Sequence, residues 1–475
     1  MTTTEARTTG SRVLVVLCMA MFMASVEMTI VNVALPTVQR ELNFSGAGLA
    51  WVVDAYSLTY GSLLLLGGRA ADLFGRRRLF VAGFVIIAIG SLIGGMADTP
   101  GWLLAGRCLQ GVGAAAATPS SLSLITNTFP AGPARQRAMA IYASMSGIGA
   151  AGGMVAGGLL TQLASWRWVL LINVPLCVGI VLAALVTLPE SRGARRRLDV
   201  PGAVIGTAAL SCLVYGAIHA GSAGWDNRLS VSMLAAAIVL FVLFATIEAT
   251  TAVPMLPLRL LRDRVRTGAL VTAALTYACL FPVFFFGTRY AQDIFGYSPM
   301  RTGLSFLPMT VAIVVSAGLV KAKSGKVGPR VFTTAGAILA ALGAFWLSRL
   351  GVSSSYATGL LPGLLALGGG IGVMLSANTL LVVGNVAEED TGIASGMSAS
   401  ALQTGGTLGL AAIASIGSTV TADSITSWTA THPTEPPTEA LHQALASGSS
   451  AALLVASALA VLAAAVTLVT TPRRP

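Results

Sequence analysis

Apolar residues along this 475-residue chain gather into runs, set apart by short polar breaks, from Val13 to Thr470. Each run is about 20 residues long, enough for a helix to cross a bilayer core of about 30 Å. The pattern predicts fourteen membrane-spanning helices, at residues 13–35, 50–68, 79–97, 101–125, 138–160, 167–188, 200–220, 230–250, 267–288, 301–320, 331–348, 356–383, 393–416 and 448–470. Most breaks are shorter than about 15 residues and leave no room for a soluble domain. The exception is 417–447, a polar stretch with Pro433, Pro436 and Pro437 that is predicted to be a mobile outer loop. The fold class is therefore all-α and polytopic.

Charge then orients the bundle. With the N-terminus placed inside, 22 of the 29 basic residues fall on the inner side. Six fall outside (Arg40, Arg167, Arg228, Arg289, Arg301 and Arg349), and Arg107 lies within a span. This is the positive-inside asymmetry, and it predicts a multi-pass protein of the cytoplasmic membrane with both termini cytoplasmic. Only 10% of residues are charged, against about 25% in soluble domains. The net charge of +11 sits in short loops beside lipid headgroups, so the lipid bilayer is the expected partner and nucleic acid is not. Cys18, Cys108, Cys177, Cys212 and Cys279 all lie in apolar runs without paired spacing, so neither a disulfide nor a metal site is expected. Residues 1–12 are polar, and the run that follows is too long for a signal-peptide core.

A weak internal duplication is visible. The loops Gly68–Arg78 and Lys321–Arg330 are both short, basic and glycine-containing, and each follows the second span of a six-span half. Two such halves around a central cavity are the architecture of alternating-access carriers. The division predicted is 1–188 and 267–475 for the halves, with 189–266 as an inserted two-helix linker. A membrane enzyme would need a polar catalytic cluster, and a transporter-derived sensor a large soluble domain; the sequence displays neither.

Five motifs then occur in order: Thr29 to Pro36, Gly68-x3-Asp72-x2-Gly75-Arg76, Arg107-x2-Gln110-Gly111-x-Gly113, Trp166 to Pro175, and Tyr290 to Pro308. Together they resemble the fourteen-span drug:proton antiporters of the major facilitator superfamily over nearly the whole chain. The resemblance implies proton-coupled export of a small drug or antibiotic by a monomer, with protons as the second partner and no cofactor beyond the proton gradient. It implies a cytoplasmic gate built from Gly68, Asp72, Gly75 and Arg76. There are three departures. Glu27 stands where Asp is usual, Leu73 where a basic residue is common, and Met154 where the antiport motif has Pro. The last keeps proton-coupled uptake open beside export. Gly149, Gly153 and Gly157 still form a helix-packing face.

The ionisable residues expected inside the membrane are Glu27, Asp54, Arg107 and Glu248. A charge at mid-bilayer costs about 2.5–3.5 kcal/mol on insertion scales, so each needs a partner, water or a proton. Glu248 lies near the inner end of its span, within reach of water. Glu27, at the middle of the first span, is the candidate proton carrier, or else a carboxylate permanently paired with Arg107. Asp54 lies about one turn into the second span and is either a functional acid or a water-exposed one at the cavity mouth. His219, His432 and His442 fall in outer segments, so no imidazole relay crosses the membrane. The excess of Arg over Lys, with abundant Ala and Gly, points to a high-GC bacterium such as an actinomycete.

The orientation is directly testable. A cysteine introduced at Ser427 should react with an impermeant reagent on intact cells, and one at Ser191 should not. The reverse labelling would invert the topology.

Overall fold

Within hydrocarbon every backbone donor and acceptor must be satisfied by the chain itself, and a helix does this segment by segment. The computed structural model is accordingly a helical bundle, described for residues 3–45, 48–129, 132–190, 200–251, 258–323, 327–384, 386, 391–432 and 437–472. Its helices are α1 (Thr3–Leu42), α2 (Trp51–Phe74), α3 (Arg76–Gly95), α4 (Pro100–Thr128), α5 (Pro133–Leu163), α6 (Trp168–Leu171), α7 (Asn173–Thr187) and α8 (Val200–Ala223). They continue as α9 (Arg228–Thr250), α10 (Arg264–Arg289), α11 (Pro299–Ser305), α12 (Leu307–Lys323), α13 (Pro329–Ser348), α14 (Leu361–Val383), α15 (Thr391–Thr431) and α16 (Thr438–Thr470).

Every predicted span falls on a helix. Two are interrupted: the sixth divides into α6 and α7 around Ile172, and the tenth into α11 and α12 around Phe306. Among the described residues twelve helical segments are apolar and long enough to cross a membrane. Of the fourteen spans, α2 and α4 are not among these twelve; they are long enough, at 24 and 29 residues, but less apolar, with Gly, Ser and Thr residues beside Asp54 and Arg107.

One expectation fails. The stretch 417–447 is mostly helix, because α15 runs on to Thr431 and α16 starts at Thr438. At 41 residues, α15 is about 60 Å long, roughly twice the hydrocarbon thickness. The two helices pack closely there: a Cβ on Gly448 would sit 2.4 Å from the Gly417 carbonyl oxygen. Backbone packing overrides the local signal of the polar residues, while the prolines fall between the two helices. Pro433 and Pro436 lie outside the described residues, and Pro437 precedes the first turn of α16. His219 lies within α8 and His442 within α16.

Lipid supplies little hydrophobic drive for helix association, so contact has to come from close packing. Glycines provide it. A Cβ on Gly149, Gly153 or Gly157 of α5 would fall 2.5, 2.8 and 2.3 Å from the carbonyls of Phe22, Val26 and Ile30 on α1. Because Gly153 has no side chain, the Thr29 hydroxyl approaches α5 and lies 3.1 Å from the Ala150 carbonyl. The predicted packing face is thus the α1–α5 contact.

At one end of the bundle, arginines cap neighbouring helices. Arg77 donates to Leu185 O near the end of α7, Arg266 to Val382 O of α14, and Arg264 and Arg330 to Val469 O and Leu468 O of α16. These carbonyls belong to last turns, which lack intrahelical donors and carry the negative end of the helix dipole. The residues that set topology also close the helices. At the opposite end α11 and the turn that continues α10 lock against α1 and α5. Gln292 Nε2, just past α10, donates to Val33 O (2.8 Å), and the Met154 carbonyl oxygen lies only 2.2 Å from where a Cβ on Gly303 of α11 would stand. α8 packs on both α2 and α15, through Val214 and Ile218 against Trp51, Leu58 and Leu408.

The α1–α5 contact gives a paired prediction. Gly153→Ala should lower stability by about 1–3 kcal/mol through overpacking against Thr29 and Val26. Gly152→Ala, whose new methyl would meet the Phe22 ring at 3.4 Å, should be nearly neutral. Thermal unfolding in detergent compares them; equal losses would mean the α1–α5 approach is not tight at Gly153.

Candidate functional site

Three helices bring an acid, a base and an amide together in the interior. Glu27 of α1 is 2% exposed and Arg107 of α4 is 1% exposed. Arg107 Nη1 lies 2.5 Å from Glu27 Oε1. Asn173 donates through Nδ2 to the other carboxylate oxygen. It is placed there by the break before α7, which puts it at that helix's first position. Arg107 is held further by Nε to Val52 O (2.9 Å), by Nη1 to Gln110 Oε1 (2.9 Å), and by the Tyr56 ring 4.6 Å from its guanidinium carbon. Gln110 Nε2 passes the network on to Ser91 Oγ of α3 at 2.8 Å. Arg107 and Gln110 share one face of α4 because they are three residues apart.

The network borders a central cavity of about 810 Å³, walled by parts of α1, α2, α4, α5, α10, α12 and α14. That volume suits a drug-sized molecule. Met28, Tyr56, Tyr277, Phe281 and Phe284 supply much of an apolar wall, with Asn32, Ser57, Thr310 and Ser376 as polar points. The cavity extends to Lys321, at the arginine-rich end, while the contacts of Gln292 with Val33 and of α11 with Met154 close the other end. A second cavity of about 260 Å³ between α10, α15 and α16, around Arg289 and Asp293, shares no wall residue with it.

Of the residues predicted for proton coupling, Glu27 and Arg107 meet and Asp54 stands apart. Asp54 is fully buried, lines neither cavity, and has no hydrogen-bond partner for either carboxyl oxygen. The expectation of a water-exposed acid at the cavity mouth is therefore wrong. Trp51 and Leu58, one turn to either side, pack on α8 and α15, which cover that face of α2. Glu248, expected within reach of water, is 3% exposed.

The gate motif occupies the end of α2 and the turn into α3. Gly75 takes φ +96°, a conformation that suits glycine, and Arg76 starts α3. Gly68 faces Pro119 of α4 at an ordinary distance. The Asp72 side chain lies outside the described residues. Met154, at the position of the family proline, is fully buried and touches α11. Among the described residues no cluster of His, Cys, Asp or Glu is suited to a metal ion.

Sequence reasoning quoted Asn173 and Gln110 as motif letters but did not assign them to the site, and it missed Tyr56 and Ser91. A usable signal existed for two of them, since an amide in an apolar span needs a partner just as a charge does.

Removing one member of such a pair strands the other charge, at a cost of about 3–5 kcal/mol. Arg107→Met should lose that much stability in detergent unfolding, and Glu27→Gln/Arg107→Met should recover most of it. A double variant as unstable as the single one would mean the ion pair is not what Arg107 supports.

A family model for the Major Facilitator Superfamily matches residues 17–410. Puromycin resistance protein pur8 of Streptomyces alboniger is 39% identical over 428 residues, covering 89% of this chain and 84% of that protein. Cephamycin export protein CmcT of Amycolatopsis lactamdurans is 37% identical over 420 residues, covering 87% and 86%. Among solved structures, a bacterial homolog of the human lysosomal transporter Spinster, in an inward-facing and occupied conformation, aligns with a TM-score of 0.71 at 16% identity over 97% of this chain and 96% of that one.

Proposed function

The chain belongs to the major facilitator superfamily, and from that premise we propose that it exports a small drug or antibiotic from the cell in exchange for protons, conferring resistance. The observation that carries this reading is the buried Glu27–Arg107 pair on the border of a drug-sized cavity closed at one end. The names of the relatives, which concern puromycin resistance and cephamycin export, support the outward direction. The exporter acts as a monomer in this reading.

In this reading residues 1–188 and 267–475 form two halves that rock about the cavity, with 189–266 inserted between them. The arginine-rich end faces the cytoplasm, as do both termini, so the cavity is open inward and the α11 contacts form the closed outer gate. Asp72, Gly75 and Arg76 form the inner gate, with Gly68 beside it. Glu27 exchanges its ion pair for a proton once per cycle. Asp54, with no donor or counter-ion of its own, is the second proton site. One proton entering down about 100 mV releases about 2.3 kcal/mol. That sustains a roughly 50-fold gradient of an uncharged substrate, since 1.4 kcal/mol corresponds to a factor of ten.

A drug-susceptibility panel in an efflux-deficient host, with wild type beside Glu27→Gln, tests this. Wild type should raise resistance to at least one antibiotic, and Glu27→Gln should abolish uphill efflux while the protein still folds. Export by Glu27→Gln at wild-type rates under a pH gradient would move coupling away from Glu27. Drug accumulation in place of efflux would support uptake.

A further inference from the structure

The wall of the central cavity carries positive charge and no negative charge. Arg107 and Lys321 are its ionic residues, and among the described residues no Asp or Glu reaches it. Glu27 lies behind the wall, one oxygen on Arg107 and the other on Asn173. Met21, Met28, Tyr56, Tyr277, Phe281 and Phe284 add aromatic and thioether surface, among aliphatic and small hydroxyl side chains. Such a surface suits a planar aromatic body with a few hydrogen-bonding substituents. It offers a permanent cation no counter-charge.

Of the two donors that hold Glu27, only Arg107 lines the cavity, so a substrate reaches Glu27 through the guanidinium. The other ionisable groups near Glu27 are Tyr56 on α2 and Cys177 on α7, whose ordinary titration ranges lie above neutrality. The substrate's charge then decides the sign of coupling. An uncharged molecule displaces water from Arg107 and offers no charge in return. Val52 O and Gln110 Oε1 still accept from the guanidinium, but its counter-charge is then ionised Glu27, and protonating that carboxylate would strand a buried cation. Substrate and proton exclude each other, as antiport requires. An anion would take Arg107 for itself and leave Glu27 free to accept a proton, so the two would travel together. A cation meets like charge in either state.

We infer that the exported molecule is uncharged and aromatic, and that it expels the coupled proton by removing water from Arg107. This rests on the export reading above. An amine-bearing drug would enter as its free base.

Three probes test it on the purified full-length protein: N-phenylnaphthylamine, uncharged; anilinonaphthalene sulfonate, an anion with a similar skeleton; and ethidium, a permanent cation. N-phenylnaphthylamine should bind at least about tenfold more tightly than ethidium. It should release protons into weak buffer, and the release should vanish in Glu27→Gln. In proteoliposomes its transport should respond to an imposed voltage without a pH gradient, because a proton is exchanged for no charge. Ser376→Asp, which adds the missing carboxylate to the wall, should raise ethidium affinity about tenfold. Equal handling of ethidium and N-phenylnaphthylamine by wild type overturns the inference and leaves export standing. So does proton uptake on binding the uncharged probe. If no probe binds, the susceptibility panel decides. Resistance confined to permanently cationic drugs overturns the inference, resistance to uncharged aromatic drugs upholds it, and no resistance at all overturns export itself.

Discussion

A buried guanidinium paired with a buried carboxylate is hard to separate from it, and five helices are referenced to this one contact. α1 contributes Glu27, α4 contributes Arg107 and Gln110, and α7 contributes Asn173. α2 offers a backbone carbonyl and an aromatic face, and α3 a hydroxyl through Gln110. Any movement that parts α1 from α4 has to supply Glu27 with a proton and Arg107 with another acceptor. The pair meets the neighbouring cavity through Arg107. In the proposed cycle, that contact is what lets cavity contents bear on helix arrangement.

The remaining contacts fit a solvent that does little to press helices together. Backbone atoms meet where α5 glycines face α1 carbonyls, and where Gly417 and Gly448 let α15 and α16 run on as a pair. Carbonyls left over at helix ends are capped by arginines of neighbouring helices. Both devices are short-ranged and geometric. They favour a few discrete packings over continuous deformation.

Much of this was legible in the chain because it repeats. Apolar runs gave the spans, and a 22-to-6 division of basic residues predicted one basic end, where the capping arginines are found. The glycines of α5 were readable from their spacing. Properties that depend on a neighbouring helix were less accessible. Asp54 looks exposed from its place near the start of a span, yet α8 and α15 cover its face of α2. The 417–447 stretch reads as a loop from its prolines and polarity, while α15 and α16 stabilise each other as helices. Asn173 gains its meaning from a helix break that no local composition announces.

The substitution of Met154 for the family proline looks different beside the Thr29 hydroxyl. In a continuous helix the Met154 amide donates to the Ala150 carbonyl. A proline there would remove that donor and push its ring against the same oxygen. Thr29, admitted by Gly153, already lies 3.1 Å from that carbonyl. α1 thus holds a hydroxyl, shared with Ser25 O and Val26 O, within reach of the one acceptor a proline would orphan. The chain keeps the socket for a kink while α5 runs unbroken from Pro133 to Leu163, a helix built on a hinge's foundations.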